Sequence, residues 1–227
     1  MVFPSVYEMN NLLTTVRKQH AWWYFSGGSS GTISSGTNTN IYDGWSITDN
    51  QSSSGSHSYS MDDTVDGGMK VTTSSNDLDA FTLSPSNNHA IEWVDYSSST
   101  WIAVAKLFET TEVDVELGLK TDTSTTTERS TCMFSVDTDV DNNWYFVTKN
   151  YSQTGDKTDT TTAIDTNWHT FKGEQTGSSS LGYIDGVLQV TNDGTQADQK
   201  QNFNYRMRNL SASSRSVGLK YVEIFNQ

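Results

Sequence analysis

The chain has 227 residues, 33% of them hydrophobic and 11% aromatic, and its 27 acidic against 14 basic residues give a formal net charge of −13 at pH 7. An acidic surface repels phosphate backbones, so a nucleic-acid partner is not expected. No run approaches the roughly 18 apolar residues that a spanning helix needs, so membrane insertion is not expected either. Cys132 is the single cysteine, which excludes an intrachain disulfide and a cysteine-based metal site. It lies in the apolar run Cys132-Met133-Phe134 and reads as a small core residue.

The polar mass is Ser, Thr, Asn and Asp, residues that suit strands and turns and are poor in helix interiors. Seven Trp, ten Tyr and nine Phe supply a large apolar area per residue. The length suits one sandwich domain with a full core. An all-β fold follows. Asp outnumbers Glu by 19 to 8. The acidity fits either ordinary solubility or adaptation to high salt, where carboxylates keep a surface hydrated, with a lean toward the saline, halophilic reading.

Residues 4–20 predict the one helix. Pro4 and Ser5 are start signals, Val6, Met9, Leu13 and Val16 recur on one face, and Arg17, Lys18 and His20 suit the C-terminal end of the helix dipole. Residues 1–25 are therefore read as an amphipathic helix plus a first strand, packed on the sandwich or anchoring to a partner subunit. Residues 26–227 are read as the sandwich. Trp22-Trp23-Tyr24-Phe25 reads as a buried first strand. Residues 26–40 and 49–57 read as polar loops, with a strand pair around Asp43-Gly44 between them. Further strands are predicted at Met69–Thr72, Ala80–Leu83, Ala90–Tyr96, Trp101–Phe108, Glu112–Leu119, Thr131–Val136, Trp144–Lys149, Thr161–Ile164, Trp168–Lys172, Leu181–Ile184, Val187–Val190, Tyr205–Arg208 and Val217–Ile224. Strands this closely spaced indicate a sandwich rather than βαβ units.

The stretch Asn167–Val190 carries the most information. Asp185-Gly186 stands between two apolar runs and predicts a two-residue type I′ hairpin. The order of Trp101-Ile102-Ala103-Val104, Cys132–Asp137, Asn143-Trp144-Tyr145-Phe146, Asn167-Trp168-His169, Tyr183-Ile184-Asp185-Gly186 and Leu219–Ile224 resembles concanavalin A-like jelly rolls. These include laminin-G-like domains, legume-lectin relatives and laminarinase or lichenase hydrolases. The resemblance covers a little over half the chain and is nearest to laminin-G-like domains of phage and archaeal-virus structural proteins. It implies a two-sheet antiparallel jelly-roll sandwich, preceded by the short helix. In the hairpin, Trp168 is expected to fill the core, Asp185 to serve the turn and His169 to be structural.

Two carboxylate patterns could carry chemistry. In a strand, residues two apart share a face, so Glu112-x-Asp114-x-Glu116 is expected to project three carboxylates from one side. Lichenase-type hydrolases resemble this, and the resemblance implies Glu112 as nucleophile, Asp114 as assistant and Glu116 as acid/base. Glu112 and Glu116 would sit ~13 Å apart along the backbone, so their side chains would have to converge for a retaining pair. An ordinary acidic solvent face explains the same pattern. Asp137, Asp139, Asp141 and Asn143 alternate as at the start of a calcium loop, but Asn142 stands where glycine is expected and Thr148 where a bidentate Glu would close it. An acidic turn explains that pattern too, and no other cofactor is expected. His20, His57, His89 and His169 show no H-x-H or H-E-x-x-H spacing, so no zinc site is expected. Trp45, Tyr59 and Tyr151 are candidates for stacking on sugars, with core placement the commoner fate.

Three functional readings follow. The first is a non-enzymatic virion structural or surface protein, a capsid decoration, turret or fibre element at the virion surface. It would contact other capsid subunits, be a homo-oligomer, and touch a host surface glycan. It is consistent with an N-terminus that lacks the basic and apolar regions of a secretion signal. The second is a carbohydrate-binding module recognising surface glycans. The third is a retaining glucanase using Glu112, Asp114 and Glu116. A shared fold does not decide among them.

Overall fold

A computed structural model describes residues 20–25, 30–34, 36–42, 44–50, 55–61, 67–85, 98–121, 130–150, 155–193 and 201–226. Its strands are β1 (His20–Tyr24), β2 (Ser30–Ile33), β3 (Asn38–Tyr42), β4 (Trp45–Asp49), β5 (His57–Met61), β6 (Met69–Thr72), β7 (Ala80–Pro85), β8 (Ser99–Leu107) and β9 (Val113–Lys120). They continue with β10 (Thr131–Asp137), β11 (Asn143–Lys149), β12 (Asp156–Ala163), β13 (His169–Gln175), β14 (Ser179–Ile184), β15 (Val187–Asp193), β16 (Asn202–Asn209) and β17 (Ser216–Asn226). The predicted helix at 4–20 lies outside the described residues apart from His20, and so does the predicted strand Ala90–Tyr96.

Two sheets form the sandwich. The first runs β15-β14-β13-β8-β17-β6-β5-β2, with β1 also paired to β17, and the second runs β12-β11-β10-β9-β16-β7-β4-β3. Each pairing is antiparallel. This is the all-β jelly-roll sandwich expected from the sequence. β1 is hydrogen-bonded along β17 from His20↔Phe225 to Tyr24↔Tyr221, so the sandwich takes in residues assigned above to an anchor. The four adjacent aromatics alternate as a strand demands: Trp23 and Phe25 are buried, Trp22 and Tyr24 exposed.

A chain of aromatic rings runs through the core. Phe25 and Trp23 meet Trp45 edge-on, Trp45 meets Phe203, and Phe203 meets Trp101; Trp101 then touches Phe134, which packs on Phe146 and Phe171. Centroid spacings from 5.0 Å for Phe25–Trp45 to 6.0 Å for Trp101–Phe134 are those at which aromatic pairs add about 0.5–1.5 kcal/mol beyond area burial. Trp45 is fully buried and therefore spent on the interior rather than on sugars, whereas Tyr59 is half-buried, packs against the core and lines a depression with Ser30, Gly31 and Lys70. Tyr151 lies outside the described residues. Backbone space around Trp101 is made by Gly173 and Gly118, where a Cβ would run into the indole.

The Asp185-Gly186 hairpin has φ of 52° and 77°, both positive as a type I′ turn requires. Asp185 caps the turn through its Oδ1, which accepts from the Thr170 N–H at 2.9 Å. The expectation for Trp168 is corrected. It is half-buried on the outer face of the first sheet, where its ring covers Gly68 and Gly218. Lys106 and Lys220 sit over it at 5.6 and 4.3 Å. The two glycines leave a flat patch of backbone on which an indole can lie, and the flanking lysines gain cation–π contact there.

Candidate functional site

The outer face of the second sheet collects the charged side chains. Along β9, Val113, Val115, Leu117 and Leu119 enter the core, which turns Asp114 and Glu116 outward. Across the sheet, Glu116 is opposite Arg206 on β16 and Ser135 on β10; Ser135 is opposite Tyr145 on β11, and Tyr145 opposite Asp159 on β12. One step along, Asp114 is opposite Arg208 and Asp137. Polar side chains thus cross five adjacent strands in rows perpendicular to the chain.

These rows are tightly cross-linked. Arg206 Nη1 reaches Asp114 Oδ2 at 3.3 Å and Glu116 Oε1 at 3.5 Å; Arg208 Nη2 reaches Asp114 Oδ2 at 2.9 Å. Lys120 Nζ holds the other Glu116 oxygen at 2.8 Å. Arg206 is buried, and these carboxylates compensate its charge. Burial raises the pKa of Asp114; Arg206 and Arg208 pull it down, Glu116 and Asp137 push it up, and the net shift is upward. Beside the cluster is a depression of ≈ 180 Å³ lined by Asp114, Glu116, Met133, Ser135, Asp137 and Lys157, among others. On the same face Arg206 Nε, Arg208 Nε and Asn204 Oδ1 are buried without a hydrogen-bond partner. Such atoms are costly unless something pairs with them.

Glu112 does not join this group. It has φ of 56°, precedes the first residue of β9, and its carboxylate is held by Arg215 and, at 2.9 Å, by Ser211 Oγ. The expected three-carboxylate face is thus a pair, Asp114 and Glu116. The left-handed turn at Glu112 breaks the period-two alternation that placed it with them. Arg206, Arg208, Lys120 and Ser135 were missed. A signal existed: Asn204-x-Arg206-x-Arg208 alternates with the same period as Asp114-x-Glu116, and the two charge patterns complement each other.

The calcium candidates are dispersed over the β10–β11 turn. Asp137 Oδ1 accepts from the Asp139 N–H at 3.1 Å, Asp141 Oδ1 from the Asn142 N–H at 2.6 Å, and Asp141 Oδ2 from the Tyr145 hydroxyl at 2.7 Å. That last bond pushes the Tyr145 pKa up to about 12. Asn143 donates instead to Asp159, at 3.2 Å. The carboxylates serve the turn, and Asp137, Asp139 and Asp141 do not converge as a cation cage. Among the described residues, one group of three His, Cys, Asp or Glu side chains does converge, with donor atoms within 4.8 Å of one another: Asp49, His57 and Asp79. His169, read as structural, bridges Asp185 (Nδ1, 2.6 Å) and Asp165 (Nε2, 2.8 Å) at the base of the Asp185-Gly186 hairpin.

No protein-family model and no curated protein sequence matches the chain. Solved structures do. The chain superimposes on the Crh5 transglycosylase with a TM-score of 0.57 at 16% identity, covering 89% of this chain and 86% of that one. The carbohydrate recognition domain of Emp47p gives 0.54 at 10% identity, covering 86% and 94%. The β-glucanase of Bacillus licheniformis gives 0.55 at 13% identity, covering 88% and 99%. At such identities the likeness is one of fold, and the fold shared is the lectin-like, concanavalin A-like jelly roll.

Proposed function

We propose that this protein binds a carbohydrate on the outer face of its second sheet, at the rows built from Asp114, Glu116, Ser135, Asp137, Arg206 and Arg208. The observation that carries the reading is the depression of ≈ 180 Å³ on that face, lined by Asp114, Glu116, Ser135, Asp137 and Lys157. A sugar hydroxyl donates and accepts at once and suits mixed donors and acceptors of this kind. The neighbours support the same reading, since they include a carbohydrate recognition domain and enzymes whose names denote glycan chemistry. A glycan array followed by calorimetric titration tests it. Glu116→Gln and Arg208→Ala should each weaken binding about tenfold or more, the scale of one charge-assisted hydrogen bond. A folded protein that retains no glycan on a broad array, or whose affinity is untouched by both variants, defeats the assignment.

A second reading has one observation in its favour. Asp114 has a raised pKa beside a second carboxylate, and glycoside hydrolases need one protonated and one ionised acid. Turnover of a β-glucan that is abolished by both Asp114→Asn and Glu116→Gln would convert the binding site into an active site. In this reading Glu112, bound to Arg215, has no part. The virion-surface setting and the capsid partners anticipated from the sequence add a location to the proposal, and the sandwich is compatible with them. The test of that location is the size of the assembly in solution and its presence on purified particles.

A further inference from the structure

We infer that Asp49, His57 and Asp79 form a buried site for a divalent transition-metal ion of the zinc class, joining the two sheets. Asp49 ends β4 in the second sheet, His57 opens β5 in the first, and Asp79 immediately precedes β7 in the second. Side chains of all three converge in the space between the sheets, beside Phe81, whose ring stands edge-on to the imidazole at 5.7 Å. The side chains of His57, Asp49 and Asp79 are wholly inaccessible to solvent.

His57 Nε2 is hydrogen-bonded to Asp49, which leaves Nδ1, on the Asp79 side, as the ring nitrogen that can ligate an ion. His57 Nε2 lies 3.3 Å from Asp49 Oδ1, and Nδ1 lies 3.8 Å from Asp79 Oδ2. Zinc bonds of about 2.0–2.1 Å place tetrahedral ligand atoms roughly 3.3 Å apart. His57 Nδ1 has no hydrogen-bond partner although fully buried and facing a carboxylate. A metal-bound histidine coordinates through one ring nitrogen and orients the other toward a carboxylate or carbonyl.

The outer contacts are those of an oriented ligand set. Gly36 N–H donates to Asp49 Oδ2 at 2.6 Å, and Ser74 Oγ holds Asp79 Oδ2 while accepting from the Asn76 N–H at 3.2 Å. Imidazole with two carboxylates selects a zinc-class ion over calcium or magnesium, which prefer all-oxygen shells. Full burial makes the site structural: it ties the end of β4, the start of β5 and the approach to β7 together.

The test uses the intact chain. Protein purified without chelator is assayed for metal content, then stripped, and refilled with zinc or with cobalt as a spectroscopic probe. Expected are one equivalent of metal per chain, a rise in Tm of several degrees on refilling, and cobalt visible bands of a nitrogen–oxygen site. The bands should vanish in Asp49→Asn and in Asp79→Asn. Should those variants fail to fold, the wild-type cobalt titration decides alone. A stripped, folded protein that takes up neither ion overturns the site. So does a His57 ring shown by NMR to carry both protons at neutral pH in the presence of zinc.

Discussion

The same three residue types, Asp–His–Asp, occur twice in this molecule with different geometry. At the Asp185-Gly186 hairpin, His169 closes on Asp185 and Asp165 at 2.6 and 2.8 Å, with both carboxylates roughly half-exposed. Between the sheets, His57 faces Asp49 and Asp79 at 3.3 and 3.8 Å with no solvent access. In the exposed cluster, water screens the residual negative charge, so an imidazolium between two acids is stable and its hydrogen bonds draw in. In the buried cluster the side chains have no solvent access, and the groups stand further apart. The comparison teaches that residue composition does not define a site. Burial decides whether three such groups form a hydrogen-bonded brace or a cation cage.

The largest expected effect comes from breaking the buried cluster. His57→Ala removes the imidazole that stands between Asp49 and Asp79, and removal of one partner from a buried ionic set costs about 3–5 kcal/mol. Urea denaturation of wild type and variant measures it, and the denatured baseline should be reached at markedly lower urea. The exposed counterpart, His169→Ala, should cost no more than about 1 kcal/mol, as exposed ion pairs do. Equal losses at the two positions would abolish the contrast. A third substitution, Gly186→Ala, sharpens the account of the exposed cluster. Its φ of 77° is left-handed, yet an added Cβ meets nothing within 4 Å. The loss should therefore be the backbone term alone, about 1–2 kcal/mol, with the His169 contacts retained. A greater loss would mean that the hairpin is coupled to more than its own turn.

How much of this was legible beforehand depended on where each strand lies in its sheet. Central strands bury one or both faces, so β8, β9, β10 and β17 alternate or run apolar and were read within a few residues. Edge strands have little to bury. β2, Ser30-Gly31-Thr32-Ile33, and β12, whose first four residues are all exposed, carry almost no apolar pattern. The first was read as a loop and the second only at its end. β5, His-Ser-Tyr-Ser-Met, was missed because its apolar face begins with a histidine. That error hid the metal candidate as well. Histidine spacing along the chain cannot find Asp49, His57 and Asp79, which are brought together by the packing of one sheet on the other. The acidic side of the outer-face rows was visible as Asp114-x-Glu116, while membership of Glu112 failed on a single positive φ. Trp168 was assigned inward by resemblance, but Gly68 and Gly218 provide it a place outside.

The smallest expected effect is a dependence on pH, and it shows whether the exposed cluster acts through charge. Burial pulls the His169 pKa down, but hydrogen bonds to Asp185 and Asp165 outweigh it and leave the value above the ordinary 6.5. For Asp165, burial raises the pKa, and bonds from the Asn167 backbone and His169 overcome that and leave it lowered. A histidine whose folded pKa is raised stabilises the fold fully below about 6.5, and that contribution is lost as pH rises through the folded value. A carboxyl whose folded pKa is lowered contributes above its ordinary value and loses that contribution as pH falls through the folded one. The brace should therefore be strongest between the depressed Asp165 value and the raised His169 value. Denaturation of wild type and His169→Ala from pH 4 to pH 9 measures it as the difference between their stabilities. That difference should be largest near pH 5–6 and shrink toward pH 9, within the roughly 1 kcal/mol of an exposed pair. A difference that stays constant across this range would show that His169 acts by packing on Phe171, 6.2 Å away, rather than by charge.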